Sequence, residues 1–158
     1  MFLEMKVSGI ALDPFTNTPI VILKDLTGEK VLPIWIGFME ASAIAMELEK
    51  TPRARPLTHD LMKTLLETLK FSVIRVDVTD LRNDTFYAEI RLQRGSEEHI
   101  VDSRPSDAIA IALRTGSPIF VRDEVLEKSK KLEIDEEKDK LNDLLEKIPP
   151  GDFGKYKM

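Results

Sequence analysis

Residues 74–95 read IRVDVTDLRNDTFYAEIRLQRG, and this stretch decides the fold. Apolar and polar residues alternate through 74–79, which is the period-two pattern of a strand with one covered face. The polar triplet Arg-Asn-Asp at 82–84 is typical of a turn, and the alternation resumes through 86–93. The stretch therefore predicts an antiparallel hairpin with one apolar face.

The sequence after this hairpin predicts a short strand, a helix and another short strand. Gly95 marks a turn before the strand expected at 99–102, and a very apolar helix is expected over 103–115. Gly116 stands where helices commonly stop, because glycine adopts the left-handed conformation of a C-terminal cap without steric cost. A last short strand is predicted at 118–121.

The same order of elements precedes the hairpin, and Gly28 and Gly95 set the offset between the two at 67 positions. Three strands and an Ala-rich helix are expected in this earlier part, at 5–12, 20–23, 30–36 and 40–50. The offset also pairs helix residues: Glu40 with Asp107, Ala41 with Ala108, Ile44 with Ile111 and Met46 with Leu113. We therefore predict an α+β fold of duplicated β-β-β-α units, about 5–50 and 72–116, forming an antiparallel or mixed sheet packed with helices.

Between the two units, residues 58–69 predict an amphipathic helix. Leu61, Leu65 and Leu69 recur at every fourth position and so share one face of it. We expect this leucine face to pack on the core, while the opposite face, which carries Lys63, meets water.

The composition is that of an ordinary soluble domain. The chain has 158 residues, of which 42% are hydrophobic and 32% charged, and it contains no cysteine. Its apolar runs are too short to span a bilayer, and its first residues lack the pattern of a signal peptide. We therefore expect a cytoplasmic protein without thiol chemistry, with one domain at 1–128 and a charged helical or disordered tail at 129–158.

Three further expectations concern source, assembly and partners. One glutamine and three asparagines, against many Glu, Lys and Arg, are typical of a thermophile. Continuous apolar strands in a duplicated sheet often leave a face for a second subunit, so we expect a homo-oligomer. The formal net charge of −5 counts against a broad nucleic-acid surface, because phosphate binding needs a local excess of Lys and Arg.

The two predicted units differ most where the third strand meets the helix. This junction reads WIGFME at 35–40 but DSRPSD at 102–107, so it changes from apolar to polar. Helix capping by Asp and Ser explains part of the change, but a helix start with serines and an arginine also suits an anion or a phosphate. The candidate residues are Asp102 and Asp107 as catalytic groups, and Ser103, Arg104 and Ser106 as phosphate-binding groups.

A second polar stretch, RARPLTHD at 53–60, leads into the linking helix. A solvated loop followed by a cap explains it as well as a binding site does. Read as a site, it offers Arg55 to a phosphate and places His59 and Asp60 as catalytic groups at a helix start.

Carboxylates from both stretches suit a hard divalent cation if the fold brings them together. Mg²⁺ typically takes one or two carboxylates and keeps several waters. Four carboxylates could take part, those of Glu40, Asp60, Asp102 and Asp107, and the predicted ligands for Mg²⁺ or Mn²⁺ are Asp60, Asp102 and Asp107. The sequence contains no Gly-rich phosphate loop, no G-x-S-x-G or H-E-x-x-H motif, and no Cys/His spacing for zinc.

Several stretches closely resemble the bifunctional nuclease domain family. They are LPIWIG at 32–37, RPLTHDL at 55–61, TFYAE at 85–89, DSRPSDAIA at 102–110 and RTGSPIFV at 114–121. The resemblance covers roughly residues 5–128 and leaves out the charged tail. The family is named for plant members that degrade both RNA and DNA, so the resemblance implies a nuclease; plant members can carry additional segments that this chain lacks.

Two functions are consistent with these residues. The first is a metal-assisted nuclease for RNA or DNA, in which carboxylates hold the metal, Arg104 and Arg55 bind the phosphate and His59 transfers a proton. The alternative is a non-catalytic module that binds an anionic ligand or a partner protein at the same site. The resemblance favours the first function, and the acidic composition favours the second.

Overall fold

The computed structural model describes residues 1–133, which form one sheet and the helices packed on it. The strands are β1 (Phe2–Leu12), β2 (Pro19–Asp25), β3 (Val31–Trp35), β4 (Ser72–Arg82), β5 (Thr85–Arg94), β6 (Glu97–Ser103) and β7 (Ile119–Arg122). The helices are α1 (Phe38–Leu48), α2 (Thr58–Thr68) and α3 (Pro105–Thr115). Residues 123–133 are also helical.

All seven strands belong to one mixed sheet in the order β3-β2-β1-β7-β4-β5-β6. The first three strands lie on one side of β7 and the next three on the other, each set running outward in chain order. Every pairing is antiparallel except that of β4 with β7, which is parallel. The α+β class is therefore confirmed, while the duplication of the two halves remains an inference from the sequence.

The helix α3 is the central helix of the molecule. Eight of its residues are buried, whereas α1 buries only Ala41 and Ile44. Its apolar residues join those of the strands in the core, and α1 and α2 both pack against it. Gly116 ends α3 with a φ of 68°, as its position in the sequence predicts. The start of α3 is therefore within reach of both neighbouring helices.

The expected orientation of the linking helix is wrong. Leu61, Leu65 and Leu69 of α2 are 51%, 53% and 55% exposed, and none of the helix's residues is buried. The opposite face, which includes His59 and Lys63, is the half-buried one. The reason is that the polar residues at the start of α2 have ionic partners on α3, so the polar face of the helix turns inward.

The chain continues from β7 directly into the helical residues 123–133, of which Val125 and Leu126 join the core. This helix crosses the predicted boundary between residues 128 and 129. The rest of the predicted charged tail, residues 134–158, lies outside the described residues. Within residues 1–133 no helix has the length and apolar character needed to cross a membrane.

Candidate active site

Arg104 stands between two carboxylates that come from matching positions in the two halves of the sequence. Its Nε lies 2.9 Å from Oδ2 of Asp107, and its Nη1 lies 2.9 Å from Oε1 of Glu40, 64 residues away. Asp107 belongs to the first turn of α3 and Glu40 to the first turn of α1. The two acids together raise the pKa of the Arg104 guanidinium, Asp107 contributing more than Glu40. The starts of the two helices are thus joined through one arginine.

Asp107 also binds the only histidine of α2. Its Oδ1 lies 2.9 Å from Nε2 of His59, whose side chain is 14% exposed. Partial burial works against ionisation of Asp107, but hydrogen bonds from Arg104 and His59 outweigh it and hold its pKa below the ordinary value. An ionised carboxylate can only accept hydrogen bonds, so Nε2 of His59 is the protonated nitrogen. The Nδ1 of the same ring is left to exchange a proton.

Glu40 is held in place by its own helix start as well as by the arginine. A hydrogen bond from its own backbone amide, followed by the one from Arg104, keeps the pKa of Glu40 below its ordinary value. Gly37 is the N-cap of α1, and a Cβ at this position would collide with the Glu40 carboxylate. Glycine therefore leaves the space that the carboxylate uses when it reaches Arg104.

A second ionic group fixes the start of α2 next to this cluster. Asp60 accepts hydrogen bonds from the Leu57 amide and from Nε of Arg114, at 3.0 and 2.8 Å. Arg114 is only 2% exposed and also donates to the carbonyl oxygens of Ala43 and Ala110. Burial raises the pKa of Asp60, but its hydrogen bonds outweigh this and leave it below the ordinary value. These contacts tie α1, α2 and α3 together, so Asp60 positions the neighbouring His59.

The two ionic groups border a cleft of about 730 Å³ between the starts of α1, α2 and α3. Its polar wall contains Glu40, His59, Arg104 and Asp107, and its remaining walls are largely apolar. The cleft combines a histidine held by an aspartate with an exposed arginine, which suits proton transfer next to a bound anion.

The remaining predicted residues lie around this cluster without joining it. Asp102 is exposed on β6, opposite Glu89 of β5. The Ser103 hydroxyl donates to the carbonyl oxygen of Arg104, Ser106 is buried, and Arg55 is exposed on the loop before α2. Asp107, Arg104 and His59 are therefore the predicted residues that contact one another, while Asp60, next to His59 in the chain, pairs with Arg114 instead.

The predicted metal ligands do not gather into one set. Asp60 engages its oxygens with Arg114 and the Leu57 amide, Asp107 engages its oxygens with His59 and Arg104, and Asp102 is exposed on β6. Among residues 1–133 no three His, Cys, Asp or Glu side chains are arranged to hold a metal ion. These three carboxylates do not fit a common divalent ion, and a requirement for Mg²⁺ or Mn²⁺ remains a prediction.

Two residues of the site, Glu40 and Arg114, were not predicted in the roles that the structure gives them. Glu40 had a signal, because the offset of 67 positions pairs it with Asp107. Arg114 had none beyond its place in the last turn of α3, where a basic residue is an ordinary complement to the helix dipole. Its role depends on the approach of α1 and α2, which no local pattern describes.

Comparison with known proteins identifies relatives of this chain. The sequence model described as the bifunctional nuclease domain matches residues 21–133. A Mycobacterium tuberculosis protein described as uncharacterized is 39% identical over 162 residues, covering 95% of this chain and 97% of that protein. Bifunctional nuclease 1 of Arabidopsis thaliana is 31% identical over 118 residues, covering 72% of this chain and 36% of the plant protein.

Bifunctional nuclease 1 of Oryza sativa subsp. japonica is 29% identical over 112 residues, covering 69% of this chain and 34% of the rice protein. The chain thus spans about a third of the length of these plant relatives. The matched region of the family model contains Glu40, His59, Arg104 and Asp107. On the extent of that match, the chain belongs to the bifunctional nuclease domain family.

Proposed function

We propose that the chain is a nuclease that hydrolyses phosphodiester bonds of RNA or DNA in the cleft between α1, α2 and α3. Its membership of the family and the names of its plant relatives support this reaction class. One observation carries the proposal: a single carboxylate, that of Asp107, binds both the His59 ring and the Arg104 guanidinium. The pair places a proton-transferring group beside a phosphate-binding group.

In this proposal His59 is the general acid or base. Asp107 fixes the tautomer of the ring by accepting from Nε2, so Nδ1 takes a proton from an attacking water or gives one to a leaving oxygen. The low exposure of the ring limits competition from bulk water.

Arg104 binds the phosphate. A guanidinium has five N–H donors, and the contacts of Arg104 with Glu40 and Asp107 use Nε, Nη1 and Nη2 once each. Two donors are left for phosphate oxygens, and the side chain is 63% exposed, so a substrate can reach it. Arg55, exposed on the loop before α2, is the proposed second phosphate contact. Ser103 and Ser106 stay in the proposal only as lesser contacts, because the first already donates to the backbone and the second is buried.

The overall charge sets the expected strength of binding. With a formal net charge of −5, the chain gains affinity for nucleic acid only from a few arginines near the cleft. We therefore expect weak binding that falls with added salt. A divalent ion also remains part of the proposal, as an accessory that the assay must vary.

The test uses the purified full chain with labelled single-stranded RNA and duplex DNA, with Mg²⁺, with Mn²⁺ and with chelator. We expect cleavage of at least one substrate and a fall of about 10²–10⁴-fold in His59→Gln, the usual contribution of a general acid or base. His99→Gln is the matched control, because this second histidine is exposed on β6 and pairs with Glu97. Equal activity in the two variants, or no cleavage with any metal, would contradict the proposal.

The same experiment separates the second candidate function, a non-catalytic anion-binding module. The observation that favours it is the exposure of Arg104, whose two unused N–H donors can bind an anion without any reaction. Salt-dependent binding of the oligonucleotide that is lost in Arg104→Ala, without cleavage in the wild type, would identify this module.

A further inference from the structure

The helix α2 presents its apolar side to solvent and its polar side to the protein. Leu61, Leu65 and Leu69, spaced four residues apart, form what we term the leucine face, and each is more than half exposed. On the opposite side, His59 and Asp60 bind Asp107 and Arg114 of α3. The usual orientation of a surface helix is thus reversed.

The sides of the leucine face are uncharged. At 100° per residue, Thr64 and Thr68 flank it on one side and Met62 on the other, and Thr58 falls on the face itself. The charged residues of α2, among them Lys63 and Glu67, lie on the far side of the helix. No charge on α2 therefore opposes contact with another apolar surface.

The apolar surface continues beyond α2 across the mouth of the cleft. Leu57, Met62 and Met39 line the cleft and are 43%, 36% and 83% exposed, and Phe38 beside them is 64% exposed. At roughly 200 Å² for a large side chain, these fractions and the leucine face amount to several hundred Å². A monomer rarely leaves so large an apolar patch open. The leucine face itself contributes about 300 Å² of this surface, which is enough for the apolar centre of an interface but less than the roughly 800 Å² that a standard interface buries on each partner.

We propose that a second copy of this chain covers the leucine face, with the two α2 helices packed antiparallel around a twofold axis at Leu65. Such an interface is self-complementary, and this face has the required symmetry. Leu61 and Leu69 stand at equal distances on either side of Leu65, so Leu61 of one copy meets Leu69 of the other. Among the residues of α2, only uncharged threonines and Met62 flank the contact in both copies.

The surface chemistry argues against two other occupants. Helices that lie on membranes carry Lys and Arg on the polar side and contact anionic lipid, whereas the polar side of α2 faces α3 and the chain has a net charge of −5. Nucleic acid needs cationic or aromatic groups, and the leucine face has neither. Aliphatic residues without charge instead match another copy of themselves.

The first test measures the mass of the full chain by sedimentation equilibrium over a range of concentrations. We expect a dimer of two 18.0 kDa chains, and a rise of about 100-fold or more in its dissociation constant in Leu65→Lys, since the twofold places two such lysines together. Leu26→Lys is the control, because Leu26 is similarly exposed in the turn between β2 and β3 and should leave the dimer intact. Thermal unfolding of both variants verifies that they fold.

The second test uses the absence of cysteine from the chain, which makes single-cysteine variants unambiguous. Leu65→Cys should form a disulfide between copies under mild oxidation, because a residue on the twofold axis faces itself. Leu61→Cys and Leu69→Cys should crosslink only when the two variants are mixed, and Leu26→Cys should not crosslink. A monomer at all concentrations, including one whose residues 134–158 cover the leucine face, would overturn the proposal; so would a dimer that Leu65→Lys leaves unchanged.

Discussion

The starts of α1 and α3 hold matching positions in the sequence but have opposite surroundings in the fold. Phe38 and Met39 at the start of α1 are largely exposed, whereas Pro105 and Ser106 at the start of α3 are buried. The difference follows from position, because α3 packs against both α1 and α2 and is the central helix. Two helices of similar sequence therefore differ in burial: α3 is central, and α1 packs against it from one side.

The charged residues at the starts of α1 and α3 also differ in their contacts. Glu40 and Asp107 are matched acids that share Arg104, but only Asp107 also binds His59. The first half of the chain thus supplies one carboxylate that holds the arginine, and the second half supplies the arginine and the carboxylate that holds the histidine. The matched positions of the two halves share the arginine, and the positions at which they differ hold the candidate site residues.

The largest effect on stability is expected further along the same helices, at Arg114 of α3. Glu47 of α1 holds the matching position and serves as the comparison. Arg114→Ala removes the buried partner of Asp60 and should lower the free energy of unfolding by about 3–5 kcal/mol. Glu47→Ala loses ion pairs with Lys50 and Arg53 nearer the surface and should cost clearly less. Denaturant unfolding of both variants measures this, and equal losses would show that the two helices are equivalent.

A pH titration of stability sharpens the comparison between the two acids. The pKa values of Asp107 and Glu40 are lower in the folded protein than in the unfolded chain. At a pH of about 4 the folded protein therefore binds fewer protons than the unfolded chain does. Their contribution to the free energy of unfolding is complete above that pH and is lost as the pH falls through the folded pKa values. The fall in the free energy of unfolding at low pH is the acid limb of the stability curve. Asp107→Asn, which affects more hydrogen bonds, should flatten this limb more than Glu40→Gln. An unchanged acid limb in Asp107→Asn, measured by denaturant unfolding between about pH 2.5 and 6, would contradict this.

The smallest expected effect comes from the turn that gives Glu40 its space. Gly37→Ala places a methyl group against the Glu40 carboxylate, which must swing away from Arg104 because it is the flexible end of the side chain. Loss of this exposed ion pair should lower stability by about 1 kcal/mol or less, with cleavage reduced only a few-fold. Gly9→Ala, where an added Cβ meets no neighbour, is the control for the thermal unfolding measurement. A large loss in Gly37→Ala would mean that Glu40 does more than hold the arginine.

Local patterns were sufficient to predict most of the fold. The alternation through 74–79 and 86–93 predicts β4 and β5, and the apolar run that stops at Gly116 predicts α3. These features depend on neighbours in sequence, which is why a single chain reveals them. The orientation of α2 could not be predicted in this way, because periodicity shows which residues share a face and not which way that face points.

The grouping of the candidate site residues could be anticipated in part for the same reason. Arg104, Asp107 and His59 stand in polar stretches that differ from their surroundings, and the fold joins them. The contribution of Arg114 depends on three helices meeting and has no local sign. Asp102 was a plausible ligand in the sequence, but its strand places it on an exposed edge, opposite Glu89.

The central claim is that the second junction carries out the chemistry and the first junction holds it in place. Single-turnover cleavage rates of Asp107→Asn and Glu40→Gln test this most directly, since the two residues occupy matching positions. We predict a fall of about 10²–10⁴-fold in Asp107→Asn, which leaves His59 without its orienting carboxylate, and of no more than about 10-fold in Glu40→Gln. Equal losses in the two variants, or a greater loss in Glu40→Gln, would contradict the claim.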